Sequence, residues 1–124
     1  MSKASSSHKP DTLKPPLASV STNDIDDGGA IALDLSFKPG RQSVIVTRKG
    51  ERAAAFVNRC PHARWPLERF DGQFLFTPAG DLMCAAHGAL FDPLTGACLG
   101  GPGTGAGLTR LRLVEVAGGF EIFE

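Results

Sequence analysis

The 124 residues fit a single domain, and thirteen Lys and Arg balance thirteen Asp and Glu, so no basic field points to nucleic acid. With no Tyr and one Trp, the chain lacks material for a stacking platform on single strands. No apolar run approaches the roughly 20 residues that cross a bilayer.

The first 28 residues are rich in Ser, Lys, Asp and Pro and poor in apolar side chains. Such a stretch cannot bury enough surface to offset its ordering entropy. It is expected to be a flexible N-terminal tail, residues 1–28, ahead of one domain at 29–124. His8 reads as a solvated tail residue. Met1–Ser7 has no apolar stretch behind a basic start and no twin Arg, so no secretory signal is expected. Three cysteines cannot all pair, and their sparse spacing suits ligands in a reducing compartment. The cytoplasm is the expected location.

From Ala30 the pattern turns to period two. Ile31, Leu33, Leu35 and Phe37 alternate with Ala32, Asp34, Ser36 and Lys38, which predicts a strand with one buried face. Pro39-Gly40 interrupts it. A second strand is predicted over 43–47, a turn at Lys49-Gly50 and a third strand over 53–57. Trp65 to Phe70 is the one candidate helical turn. Short strands are expected at 74–76 and 82–83, around a turn at Ala79-Gly80-Asp81. Leu90-Phe91 runs into Asp92-Pro93-Leu94-Thr95-Gly96, a turn with Pro early and Gly late, where Asp92 reads as a capping carboxylate. A last hairpin is predicted from 108–116 to 120–123 across Ala117-Gly118-Gly119. Fifteen glycines and nine prolines agree with strands and tight turns. The expected class is all-β, with antiparallel sheets in a small sandwich.

Chemistry concentrates in two short pairs, Cys60-Pro61-His62 and Cys84-Ala85-Ala86-His87. Two of three cysteines and two of three histidines fall there, supplying two sulfur and two nitrogen ligands. Mixed ligation of this kind suits structural zinc or a [2Fe–2S] cluster. The common zinc finger places a cysteine pair first and a histidine pair later. Here each pair is mixed, and 21 residues separate His62 from Cys84. Two equivalent Cys/His loops suit a centre with the thiolates on one iron and the imidazoles on the other. The glycine-rich run Gly100–Gly107 lacks the Gly-Lys-Ser/Thr ending of a phosphate loop. Cys98 has no neighbouring His and reads as a small buried hydrophobe. Arg64 and Trp65 read equally as a docking surface beside the metal or as a packed Trp and a solvated Arg.

The pattern C-x-H followed by C-x-x-H resembles the Rieske family. The likeness extends through His87-Gly88 and the Thr95-Gly96 turn to Gly101-Pro102-Gly103. In that family the His-Gly step closes the second ligand loop, and a proline-containing loop covers the cluster. The resemblance implies one Rieske-type [2Fe–2S] cluster per chain, held by Cys60, His62, Cys84 and His87, in a cluster-binding subdomain at about 59–103. The gap between the two loops is longer than in most small members, so Trp65–Thr77 is expected to be an added excursion that influences partner choice. High-potential members carry an extra cysteine in each loop, plus a Ser and a Tyr that bond cluster sulfur. Those two slots hold Ala89 and Phe91 here, and neither loop has a second cysteine. The implied potential lies at the low end of the Rieske range, about −150 mV to zero.

Two ferric ions, two sulfides, two thiolates and two neutral imidazoles sum to about zero charge, so an electron enters more readily than into an all-thiolate cluster. The outer imidazole nitrogen can lose a proton, so the potential is expected to fall as pH rises through alkaline values.

The resemblance implies a small ferredoxin, a one-electron carrier between a reductase and an oxygenase or other redox enzyme. It would be no enzyme itself and would have no small-molecule substrate, nucleic acid or membrane partner. Domains of this kind also serve as small subunits of nitrite reductases. A zinc-stabilised binding module and a cluster-based redox sensor are the readings from other classes. A catalytic oxygenase would need a second iron site with two histidines and a carboxylate, and only His8 remains within these residues.

Overall fold

The computed structural model describes residues 15–37, 40–61, 65–86, 88–101 and 105–124. Among the described residues ten strands appear in chain order: β1 Ala18–Ser21, β2 Ala30–Phe37, β3 Gly40–Lys49, β4 Arg52–Val57, β5 Leu75–Phe76, β6 Leu82–Met83, β7 Leu90–Phe91, β8 Cys98–Gly100, β9 Arg110–Val116 and β10 Gly119–Phe123. A 3-10 turn at Thr22–Asp24 is the one helical element among the described residues. Six strands form one antiparallel sheet in the order β1-β10-β9-β4-β3-β2, and β5-β6-β7-β8 form a second. The all-β expectation holds.

Strand β3 explains the architecture. Its residues Val44, Ile45, Val46 and Thr47 are all fully buried, so it covers a core on each face and shows no amphipathic alternation. Val44 and Val46 join Val20, Ile25, Ala55, Leu111 and Ile122 in one cluster. Ile45 joins Ala54, Phe56, Cys60, Leu67, Leu82, Cys84, Ala89, Phe91 and Leu108 in the other. Strand β4 divides likewise, with Ala55 in the first cluster and Ala54 and Phe56 in the second. Each such large apolar side chain contributes about 1.5–3 kcal/mol by leaving water. Strand β2 keeps the predicted alternation because it lies at the sheet edge, with Ile31, Leu33, Leu35 and Phe37 half-buried on the first cluster.

Three expectations are corrected. The tail does not extend to residue 28. Ala18–Ser21 pairs antiparallel with β10, Leu17 N–H donates to Ile122 O at 2.7 Å, and Ile25 is buried. Val20 and Ile25 supply the apolar anchorage that the composition of the stretch as a whole conceals. Residues 1–14, with His8, lie outside the described residues.

The segment from Trp65 to Phe70 forms bends and a turn, not a helical turn. Its backbone groups bond to distant residues instead. Trp65 O accepts from Cys60 N, Leu67 O accepts from Ala85 N, and Leu67 N donates to the Asn58 side chain. Pairing also reveals a strand that the pattern did not predict, Cys98–Gly100, held against β7 across a register shift. Cys98 is half-buried against the second cluster, with its thiol 3.7 Å from Gly100 O.

Candidate metal centre

The cysteines of the two Cys/His pairs converge. Strand β4 runs directly into Asn58-Arg59-Cys60, and β6 ends at Met83, the residue before Cys84. Both residues are fully buried within one cluster of side chains. Each loop is closed by backbone bonds. Cys60 N donates to Trp65 O at 2.8 Å, Cys84 N to Ala89 O at 2.8 Å, and Gly88 N back to Cys84 O at 2.8 Å. The two loops are also tied together, because Ala85 N donates to Leu67 O at 3.0 Å.

Gly101 brings the third loop against the second. It has φ +92°, and a Cβ there would lie 2.7 Å from Ala89 Cα and 3.0 Å from Gly88 O. Only glycine tolerates both the conformation and the approach. His62, Arg64, His87, Pro102 and Gly103 lie outside the described residues.

The donors fit an iron–sulfur group. Two soft thiols share one apolar cluster, on loops tied to each other. All three cysteines are thiols and none forms a disulfide. Among the described residues, no three His, Cys, Asp or Glu side chains gather as an alternative metal site. Ala89 and Phe91 are fully buried in the same cluster as Cys60 and Cys84, and neither carries a hydroxyl for a cluster sulfur.

The turn after β7 is built by Asp92. Its Oδ1 accepts from Leu94 N at 2.8 Å and Thr95 N at 3.0 Å, while Gly96 N donates to Asp92 O at 2.8 Å. The bond from Leu94 N, chiefly, holds the carboxyl below its ordinary range. Burial, second in size, opposes this, and bonds from Thr95 and the nearby Lys49 charge lower it further. Gly96, at φ +80°, packs so closely on Phe56 that a Cβ would come within 2.7 Å of the ring.

Between the two ligand loops, Trp65 is 60% exposed and Phe70 fully exposed. Trp65, Pro66, Phe70 and Asp71 line one groove of about 610 Å³ with Ala85 and Ala86 of the second ligand loop. Trp65 is therefore not a packed core residue. The sequence did not point to Asn58, whose side chain connects this segment to β3. A single Asn two positions before a Cys carries no periodic signal.

The family model for the Rieske [2Fe-2S] domain matches residues 18–116, and the chain belongs to that family. A Rieske-type [2Fe–2S] cluster is accordingly its cofactor. Among solved structures, the ferredoxin of carbazole 1,9a-dioxygenase from Nocardioides aromaticivorans IC177 superposes with TM-score 0.69 at 22% identity, over 87% of this chain and 96% of that one. The terminal oxygenase of carbazole 1,9a-dioxygenase from Novosphingobium sp. KA1 gives TM-score 0.66 at 17% identity, over 85% of this chain but 28% of the oxygenase. A chain from a complex of reduced oxygenase and oxidized ferredoxin of carbazole 1,9a-dioxygenase gives 0.61 at 21% identity, over 83% of this chain and 87% of that one. These likenesses establish the shared fold. No curated protein matches the chain.

Proposed function

We propose that this protein is a Rieske-type ferredoxin that carries single electrons from a reductase to an oxygenase. The observation that carries the reading is the pair of buried thiols, Cys60 and Cys84, on two mutually bonded loops of a Rieske domain. The fit to nearly the whole of a stand-alone ferredoxin supports a carrier, since the likeness to terminal oxygenases spans under a third of their chains.

In this reading Cys60 and Cys84 would hold one iron of the cluster, and His62 and His87 the other. The cluster supplies a reversible one-electron couple. The cluster-binding subdomain is assigned to about residues 59–103. The bonds Cys60 N to Trp65 O and Cys84 N to Ala89 O fix the backbone at each cysteine, which limits rearrangement when the charge changes. The apolar side chains around them exclude water.

The groove beside Ala85-Ala86 supports an oxygenase-docking face at the ligand loops, with Trp65 and Phe70 as its large apolar contacts. The cytoplasm is the assigned location.

Anaerobic purification tests the function. Visible absorbance, with iron and acid-labile sulfide in equal amounts, supports it. Colourless protein containing zinc refutes it in favour of the zinc-stabilised module.

A further inference from the structure

Asn58 is 6% exposed and lies between the end of β4 and Cys60. Its carboxamide is bonded on every side. Nδ2 donates to Ser43 Oγ at 3.0 Å and to Glu68 Oε1 at 2.7 Å. Oδ1 accepts from Leu67 N at 2.9 Å. Its own backbone N–H donates to Ser43 O at 2.8 Å, so the residue is fixed to β3. Leu67, fully buried, passes the connection on, because its carbonyl accepts from Ala85 N at 3.0 Å in the second ligand loop.

One amide therefore joins three things: the large sheet, the approach to Cys60, and the segment that holds the loop of Cys84. We infer that Asn58 is a positioning residue for the metal centre, setting the separation of the two ligand loops through Leu67. This rests on the Rieske reading of the site. Simple burial does not account for the arrangement. A buried amide needs only enough partners to satisfy it, whereas these partners span β3, the inter-loop segment and, through Leu67, the second loop. Neighbours that orient ligands in this way typically change metal retention by about 10–100-fold when altered.

The test uses the loaded protein and its Asn58→Asp variant. This exchange keeps the shape and the acceptor for Leu67 N, removes both donors, and sets a carboxylate against that of Glu68. Cluster loss to a chelator is expected to accelerate about tenfold. The electron paramagnetic resonance signal of the reduced protein is expected to broaden and shift.

Adding Glu68→Gln returns an N–H donor to the pair, so the double variant recovers the wild-type signal and loss rate. Glu68→Ala, at a half-buried position with little risk to folding, is expected to move both readouts the same way and less far. Unchanged spectra and loss rates in Asn58→Asp and Glu68→Ala overturn the inference, even if thermal stability drops. So does a double variant as impaired as the single one. A wild-type protein with no Rieske signal would instead strike the reading beneath it.

Discussion

The Thr47 hydroxyl donates to the Pro93 carbonyl across 46 positions of sequence, joining the middle of the large sheet to the turn that follows the second ligand loop. Thr47 is fully buried, and Pro93 is buried with it. Thr47→Val keeps the shape and leaves that carbonyl without the donor, at a cost of about 1–3 kcal/mol. Urea unfolding of the loaded protein is expected to show the midpoint falling at unchanged slope. An unaltered midpoint would mean that water replaces the hydroxyl without penalty.

Ala89 and Phe91 set the expected potential. They are buried with Cys60 and Cys84 and offer no hydroxyl, so a value of about −150 mV to zero is expected in a potentiometric titration followed by electron paramagnetic resonance. Ala89→Ser should raise it. A hydrogen bond worth about 1 kcal/mol more in the reduced state corresponds to about 40 mV for one electron. The same titration at increasing alkaline pH should give progressively lower potentials, and a flat profile would argue against imidazole ligands.

Gly101 should tolerate no side chain. Gly101→Ala drives a methyl into Ala89 Cα and the Gly88 carbonyl, both backbone, at a φ of +92°. Backbone strain of this kind costs about 1–3 kcal/mol before the clash is added. The second ligand loop is expected to shift, and iron content per chain to fall. Gly80→Ala, also at positive φ but with nothing within 4 Å of the added methyl, is the control that should retain iron.

Acid should loosen the turn at Asp92. Its carboxyl titrates below its ordinary 3.8, mainly through the bond from Leu94 N. A depressed value stabilises the fold above the unfolded-state pKa, and that contribution disappears as pH falls through the lower folded value. Melting temperatures between pH 5 and pH 3 are therefore expected to fall more steeply for the wild type than for Asp92→Asn. Parallel curves would remove Asp92 from the acid sensitivity.

Phe70 gives the docking face a direct test. It is fully exposed, so Phe70→Ser should leave folding, iron content and potential unchanged. In a coupled assay with the partner oxygenase, the apparent KM for this protein should rise about tenfold, the cost of losing a contact worth more than about 1 kcal/mol. An unchanged KM would place docking elsewhere on the surface.

Much of the fold was legible in the sequence wherever one face of a strand meets water. Ile31 to Phe37 alternates because β2 is an edge strand with one half-buried face. The two Cys/His pairs stand out because thiols and imidazoles at such spacing have few other uses, and of these residues Cys60 and Cys84 meet in one cluster. Elsewhere local pattern lost to long-range pairing. Ala18–Ser21 looked like tail because its strand exists only through β10, and Trp65–Phe70 looked helical because nothing local reveals that Leu67 bonds Asn58 and Ala85. Asn58 itself was invisible for the same reason, since its three partners lie 9 to 15 positions away.

Strand β3 presents Val44 and Val46 to a cluster that contains no cysteine, and Ile45 to the cluster that contains Cys60 and Cys84 and has Cys98 packed against it. One of the two cores is therefore built without a thiol. The loop that carries Cys60 thus leaves a strand, β4, whose Ala55 packs on the opposite core, away from every cysteine.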